Sequence, residues 1–397
     1  MGDRILNDWL ESYLTLTNNS EPSEMYRLWS GICVISGVLQ RKCKLNWGEL
    51  VFYPNLYTIL VGPPAARKGT AMNQAFHFLE ELNIKIAAES ITREALIQEL
   101  KNSNDNDLDI KTGKMHFHSS LTIWAQELTV FLGYNNLQLL SDLTDWYDCR
   151  NKWTYRTKNM GTDEIVGVYV NLFGATTPDL LRSTMPLDAI GGGLTSRMIF
   201  VFEWDKEKLV IYTGLTEKER QIKKDLSVDL EKIRMLSGTF KTTPEVLQIW
   251  AEWYTHQEKN PPFKDPRFNG YFQRRGNHIM KLAMICSASR TSDMIITGDD
   301  FHRAIDILNR TEKKMPHTFS GVGKASHADT LAKVYTDLRM AGDEGMKYSE
   351  LLSIYRDDAD SFIMDKIITS LKAMKYVDTI INGSDTIIKA LKLKDDD

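Results

Sequence analysis

Cysteine is scarce in this chain of 397 residues, which contains only four. None of the four forms a Cys-x-x-Cys pair, so the spacing gives no zinc-finger ligand set and favours reduced thiols in a protein core. The chain also lacks an apolar run of membrane-spanning length and the pattern of a signal peptide. From these absences we expect a cytoplasmic protein with no membrane partner.

An excess of positive charge is missing as well, since the formal net charge at pH 7 is −4. This balance argues against a protein that coats nucleic acid over its whole surface, so any DNA contact requires local basic features. Apolar residues make up 42% and charged residues 26%, which is ordinary for a globular protein. The length allows one large domain and one or two small ones.

The most informative stretch is residues 56–70, where an apolar run breaks into a turn rich in glycine and proline. This order predicts a strand, a phosphate-binding loop and a helix whose amino terminus faces the phosphates. In such a loop a glycine lets the backbone approach the phosphates, a lysine neutralises their charge and a hydroxyl binds Mg²⁺. The candidate nucleotide contacts are Gly62, Pro63, Pro64, Ala65, Ala66, Arg67, Lys68, Gly69 and Thr70, of which Thr70 is the candidate Mg²⁺ ligand.

The loop departs from the usual spacing G-x-x-x-x-G-K-[ST] at two positions. Arg67 occupies the slot of the second glycine, and Gly69 occupies the slot of the hydroxyl residue. Thr70 would have to reach the metal ion from one residue further along the helix. The alternative interpretation is a plain strand–turn–helix connection in which Lys68 is only a surface charge.

Later apolar runs also end in residues that suit phosphate chemistry. One predicted strand ends in Gln126-Glu127, where P-loop ATPases carry Asp-Glu, and Glu127 can polarise the attacking water. Gln126 lacks the negative charge of the aspartate, and a strand that ends in one glutamate is also common by chance. The run 165–178 contains Asn171 and ends in threonines, and a buried Asn or Thr there can hydrogen-bond the γ-phosphate.

Arginines in two places are candidates for further phosphate contacts. Arg197 lies between a glycine run and a fifth apolar strand, where it is either a structural ion-pair partner or an arginine finger for a neighbouring subunit's ATP. A predicted helix at residues 271–290 carries Arg274 and Arg275, either of which can reach back to the phosphates from a lid.

Two predicted hairpins carry local positive charge. The first has Lys111 and Lys114 near its Thr-Gly turn, and the second has Arg156 and Lys158 at a tip with aromatic residues on its flanks. Such tips can contact a nucleic-acid backbone, although a solvated turn is the plainer interpretation.

The patterns divide the chain into four parts. Near the C-terminus, three helices and a hairpin with an Asn382-Gly383 turn predict a winged helix. The parts are a helical segment at 1–50, an α/β nucleotide-binding core with hairpin inserts at 51–205, a helical lid region at 206–315 and a winged-helix domain at 325–394.

Taken together, these motifs resemble the AAA+ P-loop ATPase core of phage and mobile-element primase-helicase proteins, which is related to superfamily 3 and minichromosome-maintenance helicases. The likeness spans roughly residues 20–310. The phrases that carry it are Tyr53-Pro-Asn-Leu-Tyr-Thr-Ile-Leu-Val-Gly-Pro-Pro, Gly174-Ala-Thr-Thr-Pro-Asp, Gly191-Gly-Gly-Leu-Thr-Ser-Arg and Lys281-Leu-Ala. The resemblance implies an α/β three-layer P-loop NTPase core with a helical N-terminal cap, a helical lid and a C-terminal winged helix.

The resemblance also implies a role for each matching residue. Lys68 and Thr70 contact phosphate and Mg²⁺, Glu127 activates water, Asn171 senses the γ-phosphate, Arg197 is the finger in trans, Arg274 or Arg275 is the lid sensor, and Lys158 grips DNA in the pore, with Lys111 and Lys114 as a weaker second contact.

On this basis the expected function is an ATP- and Mg²⁺-dependent DNA helicase or translocase of phage or mobile-element replication. It would form a hexameric ring on single-stranded or forked DNA in the cytoplasm of a bacterial host or phage-infected cell. Other replication proteins are further candidate partners. One alternative is an ATP switch that loads or remodels a partner protein without unwinding. The other is a non-enzymatic DNA-binding protein with a decayed nucleotide site.

Overall fold

The computed structural model describes residues 3–109, 113–157, 161–185, 191–319, 328–356, 358–382 and 385–391. The chain forms two compact units, Met1–Ser320 and Gly321–Asp397. Within the described ranges, no helix combines the length and the apolar character needed to cross a membrane. All four cysteines are buried with free thiols, as their spacing predicted.

The first unit alternates helices and strands along most of its length. Its helices are α1 (Trp9–Thr17), α2 (Glu24–Leu39), α3 (Lys68–Glu81), α4 (Arg93–Asn102), α5 (Leu128–Leu132), α6 (Leu137–Tyr147), α7 (Pro178–Thr184), α8 (Glu217–Arg234), α9 (Pro244–Lys259), α10 (Asn269–Phe272), α11 (Arg275–Arg290) and α12 (Gly298–Glu312). Its strands are β1 (Cys43–Trp47), β2 (Leu50–Phe52), β3 (Tyr57–Val61), β4 (Asn104–Asp109), β5 (Lys114–Ala125), β6 (Lys152–Thr157), β7 (Gly161–Val166), β8 (Val168–Thr176), β9 (Met198–Phe202), β10 (Gly238–Thr242) and β11 (Ile295–Ile296).

The central sheet has the strand order β4-β5-β8-β3-β9. Strands β5, β8, β3 and β9 run parallel, and β4 pairs antiparallel with β5. Every residue of β3, β8 and β9 is buried, which is typical of parallel strands that are covered on both faces. Because the strands are parallel, their carboxyl ends meet at one edge of the sheet.

Helices cover both faces of this sheet. On one face, the Tyr169 hydroxyl donates to the Ser36 carbonyl of α2 at 2.7 Å. On the other face, the Tyr57 hydroxyl donates to the Leu143 carbonyl of α6 at 2.8 Å. Tyr57 lies beside Leu172 in register, so the two side chains point to the same face. Tyr169 is three residues before Leu172 in β8 and therefore points to the opposite face. The predicted α/β class is therefore confirmed as a sheet between helical layers.

A second, mixed sheet has the order β11-β10-β1-β2, with β1 and β2 antiparallel and the other pairs parallel. Strands β6 and β7 form a separate two-stranded antiparallel ribbon. Local signals placed several elements well: Thr92 caps α4 as predicted, and both predicted hairpins are present as β4–β5 and β6–β7. Of their basic tips, Lys111 and Lys158 lie outside the described residues.

The second unit combines helices with a small antiparallel sheet. It contains α13 (Ala328–Met340), β12 (Met346–Lys347), α14 (Tyr348–Ile354), α15 (Ser361–Ala373), β13 (Val377–Asn382) and β14 (Asp385–Ala390). The sheet order is β12-β14-β13. Apolar residues of all three helices form a core of their own with strand residues such as Ile388, so this unit buries its own hydrophobic surface.

Lys281 is a buried cation in the middle of α11. Its ammonium donates to the backbone and side-chain oxygens of Asn55, at 3.0 and 2.5 Å, and lies 3.9 Å from the ring centre of Tyr147. These contacts tie α11 to the segment just before β3. Burial disfavours the charged form and lowers the pKa of Lys281 from 10.5 to about 8.

The depressed pKa of Lys281 predicts a pH-dependent stability. Between pH 8 and 10.5 the unfolded chain holds a proton that the folded chain has released, so stability rises with pH across this window. We expect the unfolding free energy of the native chain, relative to Lys281→Met, to rise by about 2 kcal/mol over this range. Urea unfolding at several pH values measures the difference, and parallel curves for the two proteins would contradict the assignment.

Candidate nucleotide site

The loop at residues 62–67 connects the carboxyl end of β3 with the start of α3. The Tyr26 hydroxyl of α2 donates to the Val61 carbonyl at 2.7 Å and so fixes the last residue of β3. A Cβ atom at Gly62 would collide with that hydroxyl and with the Glu203 carbonyl. Glycine is therefore required at the point where the chain leaves the sheet.

Lys68 is the first residue of α3, and its side chain folds back over the loop. Its ammonium donates to the Gly62 carbonyl at 2.7 Å and to the Pro63 carbonyl at 2.9 Å. Partial burial lowers the pKa of Lys68, while the negative charge of Glu127 opposes this shift. Among the described residues, no side chain caps the start of α3, and the first turn of the helix holds no acid, so the positive end of the helix dipole can attract an anion.

Glu127, the catalytic acid predicted from sequence, lies at the same edge of the sheet. It follows the carboxyl end of β5 and is exposed. It lies close enough to Lys68 for its negative charge to affect the pKa of that lysine. The preceding Gln126 donates its amide N–H to the Asn73 side chain of α3 at 2.7 Å. The structure thus brings the lysine and the glutamate of the two motifs together.

The backbone conformation of Arg67 explains why this loop position is usually glycine. Its backbone is left-handed, with φ of 63°, and Ala65 in the same loop has φ of 69°. This conformation costs a side-chain-bearing residue roughly 1–2 kcal/mol. The Arg67 guanidinium pairs with Glu21 at 2.6 Å, and Lys206 binds the same carboxylate at 2.9 Å. Lys206 above all, with Arg67 also contributing, lowers the pKa of Glu21.

The donor set at this edge does not match what Mg²⁺ prefers. Carboxylates and hydroxyls are its usual protein ligands, but the positions that would supply them hold Gly69 and Gln126. Thr70, which follows Gly69 in α3, is exposed. In the part of the chain that the structure describes, no three His, Cys, Asp or Glu side chains are grouped to hold a metal ion.

The structure corrects the prediction for Asn171. This residue is fully buried in the first half of β8, level with the start of β3, and not at the edge that carries the loop. Its side-chain oxygen accepts from Ser36 and from the Leu56 backbone N–H, and its amide donates to the Cys33 carbonyl. These bonds join α2, β8 and the residue before β3, so Asn171 stabilises the core and cannot reach a phosphate.

Thr176 occupies the place expected of the sensor. It is the last residue of β8, beside Val61, and its carbonyl accepts from the Gly62 N–H at 3.4 Å. Its hydroxyl makes only a 3.3 Å bond to the Thr177 carbonyl. The sequence signal that could have identified Thr176 was the polar end of the apolar run 165–178, because the last residue of a strand lies nearest the loops.

Arg197 and Arg274 lie together at the opposite edge of the sheet. Arg197 precedes Met198, which pairs with the first residue of β3, so it is roughly 20 Å from the loop along the strand. Its buried guanidinium donates to Asp148 at 2.9 Å and to the Gly193 carbonyl at 2.7 Å. Arg274 is half-buried and donates to Ser196. Neither reaches a phosphate on Lys68 of the same subunit.

Arg275 has a structural role, which corrects the prediction of a nucleotide contact. Its guanidinium is 3% exposed and forms two 2.7 Å bonds to Glu312 of α12. Further bonds to Gln257 and Asn309 complete a buried network. The network joins α9, α11 and α12.

The predicted DNA contacts are only partly described. Arg156 is exposed near the end of β6, beside Thr162 of the paired strand. Lys114 begins β5, but its side chain is outside the described part, as are Lys111 and Lys158 altogether. On the same ribbon, Lys152 pairs with Glu164 at 2.6 Å, so part of its positive charge is neutralised.

Comparison with known proteins adds no further constraint on this site. No model of a protein family matches the chain, and no curated protein matches it at a significant level.

The positions of Asn171 and Thr176 predict different effects of substitution on stability. Asn171→Leu leaves the buried Leu56 N–H without its acceptor and also removes the bonds to Ser36 and Cys33, and we expect a loss of about 2–4 kcal/mol in unfolding free energy. Thr176→Val keeps the shape and breaks one weak bond, and should change it by no more than about 1 kcal/mol. Urea unfolding of both variants measures this, and equal losses would contradict it.

Proposed function

We propose that this chain is an AAA+ P-loop ATPase that acts as a ring-forming DNA motor. The observation that carries the proposal is the Lys68 ammonium, which lies over the loop carbonyls of Gly62 and Pro63 at the uncapped start of α3, with Glu127 close by. A lysine, a free helix start and an acid at the carboxyl edge of a parallel sheet suit a triphosphate and the water that attacks it.

The proposed reaction uses residues that lie at this edge. Lys68 exchanges its two carbonyl partners for β- and γ-phosphate oxygens of ATP, whose Mg²⁺ arrives with the nucleotide. Glu127 accepts a proton from the attacking water as the new P–O bond forms and the bond to the β-phosphate oxygen breaks, which yields ADP and phosphate. Thr176 replaces Asn171 as the proposed contact of the γ-phosphate.

The two edges of the sheet support head-to-tail assembly. The phosphate loop lies at one edge, and the Arg197–Arg274 pair lies at the other. A contact between unlike edges of neighbouring copies closes into a ring when the rotation permits. A cation from one subunit would then meet the nucleotide of the next. Arg197 would have to leave Asp148, so the half-buried Arg274 is the more accessible of the two.

The DNA part of the proposal is supported by the β6–β7 ribbon and by the second unit. The ribbon presents Arg156 and carries the stacked rings of Trp153 and Tyr155 at its base. The second unit has the order helix, strand, helix, helix and two antiparallel strands, which suits a winged helix. A phosphate-backbone contact of this kind should weaken with salt.

The Gly69–Gln126 pair favours a second candidate function. Without a carboxylate for the metal ion, hydrolysis would be slow, and a slow ATPase suits a switch that loads or remodels a partner protein. ATP turnover that does not respond to single-stranded DNA would support this candidate over a motor.

Removal of the Lys68 side chain should strongly weaken nucleotide binding. We expect Lys68→Ala to weaken ATP affinity by about 100-fold or more, because a charge-assisted contact to the phosphates is lost. Glu127→Gln should leave affinity within about threefold and lower turnover by about 100-fold or more. Calorimetric titration and phosphate release measure both effects. Lys224→Ala, at an exposed position of α8, is the matched control. Full turnover by either site variant would refute the site.

Arg156 should contribute one phosphate contact to DNA binding. We expect Arg156→Ala to weaken binding of single-stranded oligonucleotides about tenfold and to reduce the slope of log affinity against log salt by about 1. Fluorescence anisotropy at several salt concentrations measures both quantities. The same variant should slow ATP-driven strand displacement, and unchanged DNA affinity and salt slope would remove this ribbon from the DNA path.

A further inference from the structure

We infer that this site binds the nucleoside triphosphate without requiring Mg²⁺, because Arg67 supplies the positive charge that the metal ion would otherwise bring, an inference that rests on the proposed function.

The two positions that would hold the metal ion lie against each other, and both lack its ligands. A Cβ atom at Gly69 would be 3.7 Å from the side-chain oxygen of Gln126. In a P-loop NTPase, a hydroxyl at the first position and an aspartate at the second bind Mg²⁺. Here the first offers no side chain and the second offers one neutral oxygen, while its amide nitrogen bonds Asn73.

Thr70 does not restore the lost ligand. Thr70 follows Gly69 by one residue, which turns its side chain about 100° around the helix axis, and it is exposed. Glu127 remains near Lys68, but one carboxylate with a neutral amide is a weak donor set for a cation that prefers several charged oxygens. The protein thus contributes little to holding Mg²⁺ on the phosphates.

Arg67 adds a positive charge at the point where the usual loop has none. It directly precedes Lys68, so two cationic residues are adjacent in the chain at the start of α3. The residue keeps a left-handed backbone that glycine would adopt without strain. A guanidinium binds phosphate oxygens through paired hydrogen bonds, which makes it a suitable counter-ion for a triphosphate without metal.

Glu21 forms an ion pair with Arg67, as a phosphate group could do. Its carboxylate forms an ion pair with Arg67 at 2.6 Å and accepts a hydrogen bond from Lys206 at 2.9 Å, and 45% of the Arg67 side chain remains exposed. Carboxylate and phosphate compete for the same guanidinium donors. An incoming triphosphate can therefore take Arg67 from Glu21, while Lys206 continues to neutralise the carboxylate.

Calorimetric titration with the non-hydrolysable analogue AMP-PNP, in EDTA and in excess Mg²⁺, tests the inference. For the native chain we expect the two affinities to agree within about threefold. Arg67→Gly should lose about tenfold or more in EDTA, although it relieves backbone strain. Glu21→Gln should tighten binding in EDTA several-fold, because it frees Arg67, whereas a purely structural Glu21 would give no gain.

A double variant tests the metal positions directly. Gly69→Ser with Gln126→Asp restores the hydroxyl and the carboxylate, and Mg²⁺ should then tighten binding by about tenfold or more. Arg220→Ala, at an exposed position of α8, is the matched control for the loss of an arginine. Thermal unfolding of each variant shows whether it is folded.

The outcomes separate the inference from the proposed function. Binding by the native chain that requires Mg²⁺ overturns the inference and leaves the ATPase proposal standing. Unchanged affinity of Arg67→Gly in EDTA overturns the role of Arg67. If neither the folded native chain nor the folded double variant binds AMP-PNP in either condition, the proposed function fails and the inference fails with it.

Discussion

The pair of hydrogen bonds from Lys68 to the carbonyls of Gly62 and Pro63 is the contact on which the candidate site depends. It holds an ammonium group over a loop whose geometry is set from below, since Tyr26 fixes the end of β3 and leaves room only for glycine at residue 62. In the part of the chain that the structure describes, both hydrogen-bond partners of this lysine are neutral carbonyls. A phosphate can replace two neutral carbonyls at little electrostatic cost, whereas it would have to compete with a carboxylate.

The parallel sheet separates two kinds of positive charge. Lys68 and Arg67 lie beyond the carboxyl ends of the strands, and Arg197 and Arg274 lie beyond their amino ends. One copy of the chain therefore cannot bring all four cations to one ligand. In the proposed mechanism, a contact between Arg197 or Arg274 and the nucleotide therefore requires a second copy of the chain.

Local patterns predicted the elements well, but not which end of a strand a residue occupies. The strand–loop–helix order placed Lys68 correctly, and the strand that ends in Glu127 brought this acid near it. Asn171 was misassigned because all nine residues of β8 are buried, and only register with β3 shows that Thr176 is the one beside the loop. The partners of Arg67 and Arg275, which are Glu21 and Glu312, come from elements distant in sequence and gave no local signal.

A crystal structure or cryo-electron microscopy map of the chain with ATPγS tests the central claim most directly. The account predicts that the β- and γ-phosphates lie at the start of α3, with the Lys68 ammonium turned from the Gly62 and Pro63 carbonyls to the phosphate oxygens. A nucleotide bound elsewhere, or one bound while Lys68 keeps both carbonyl partners, would contradict it.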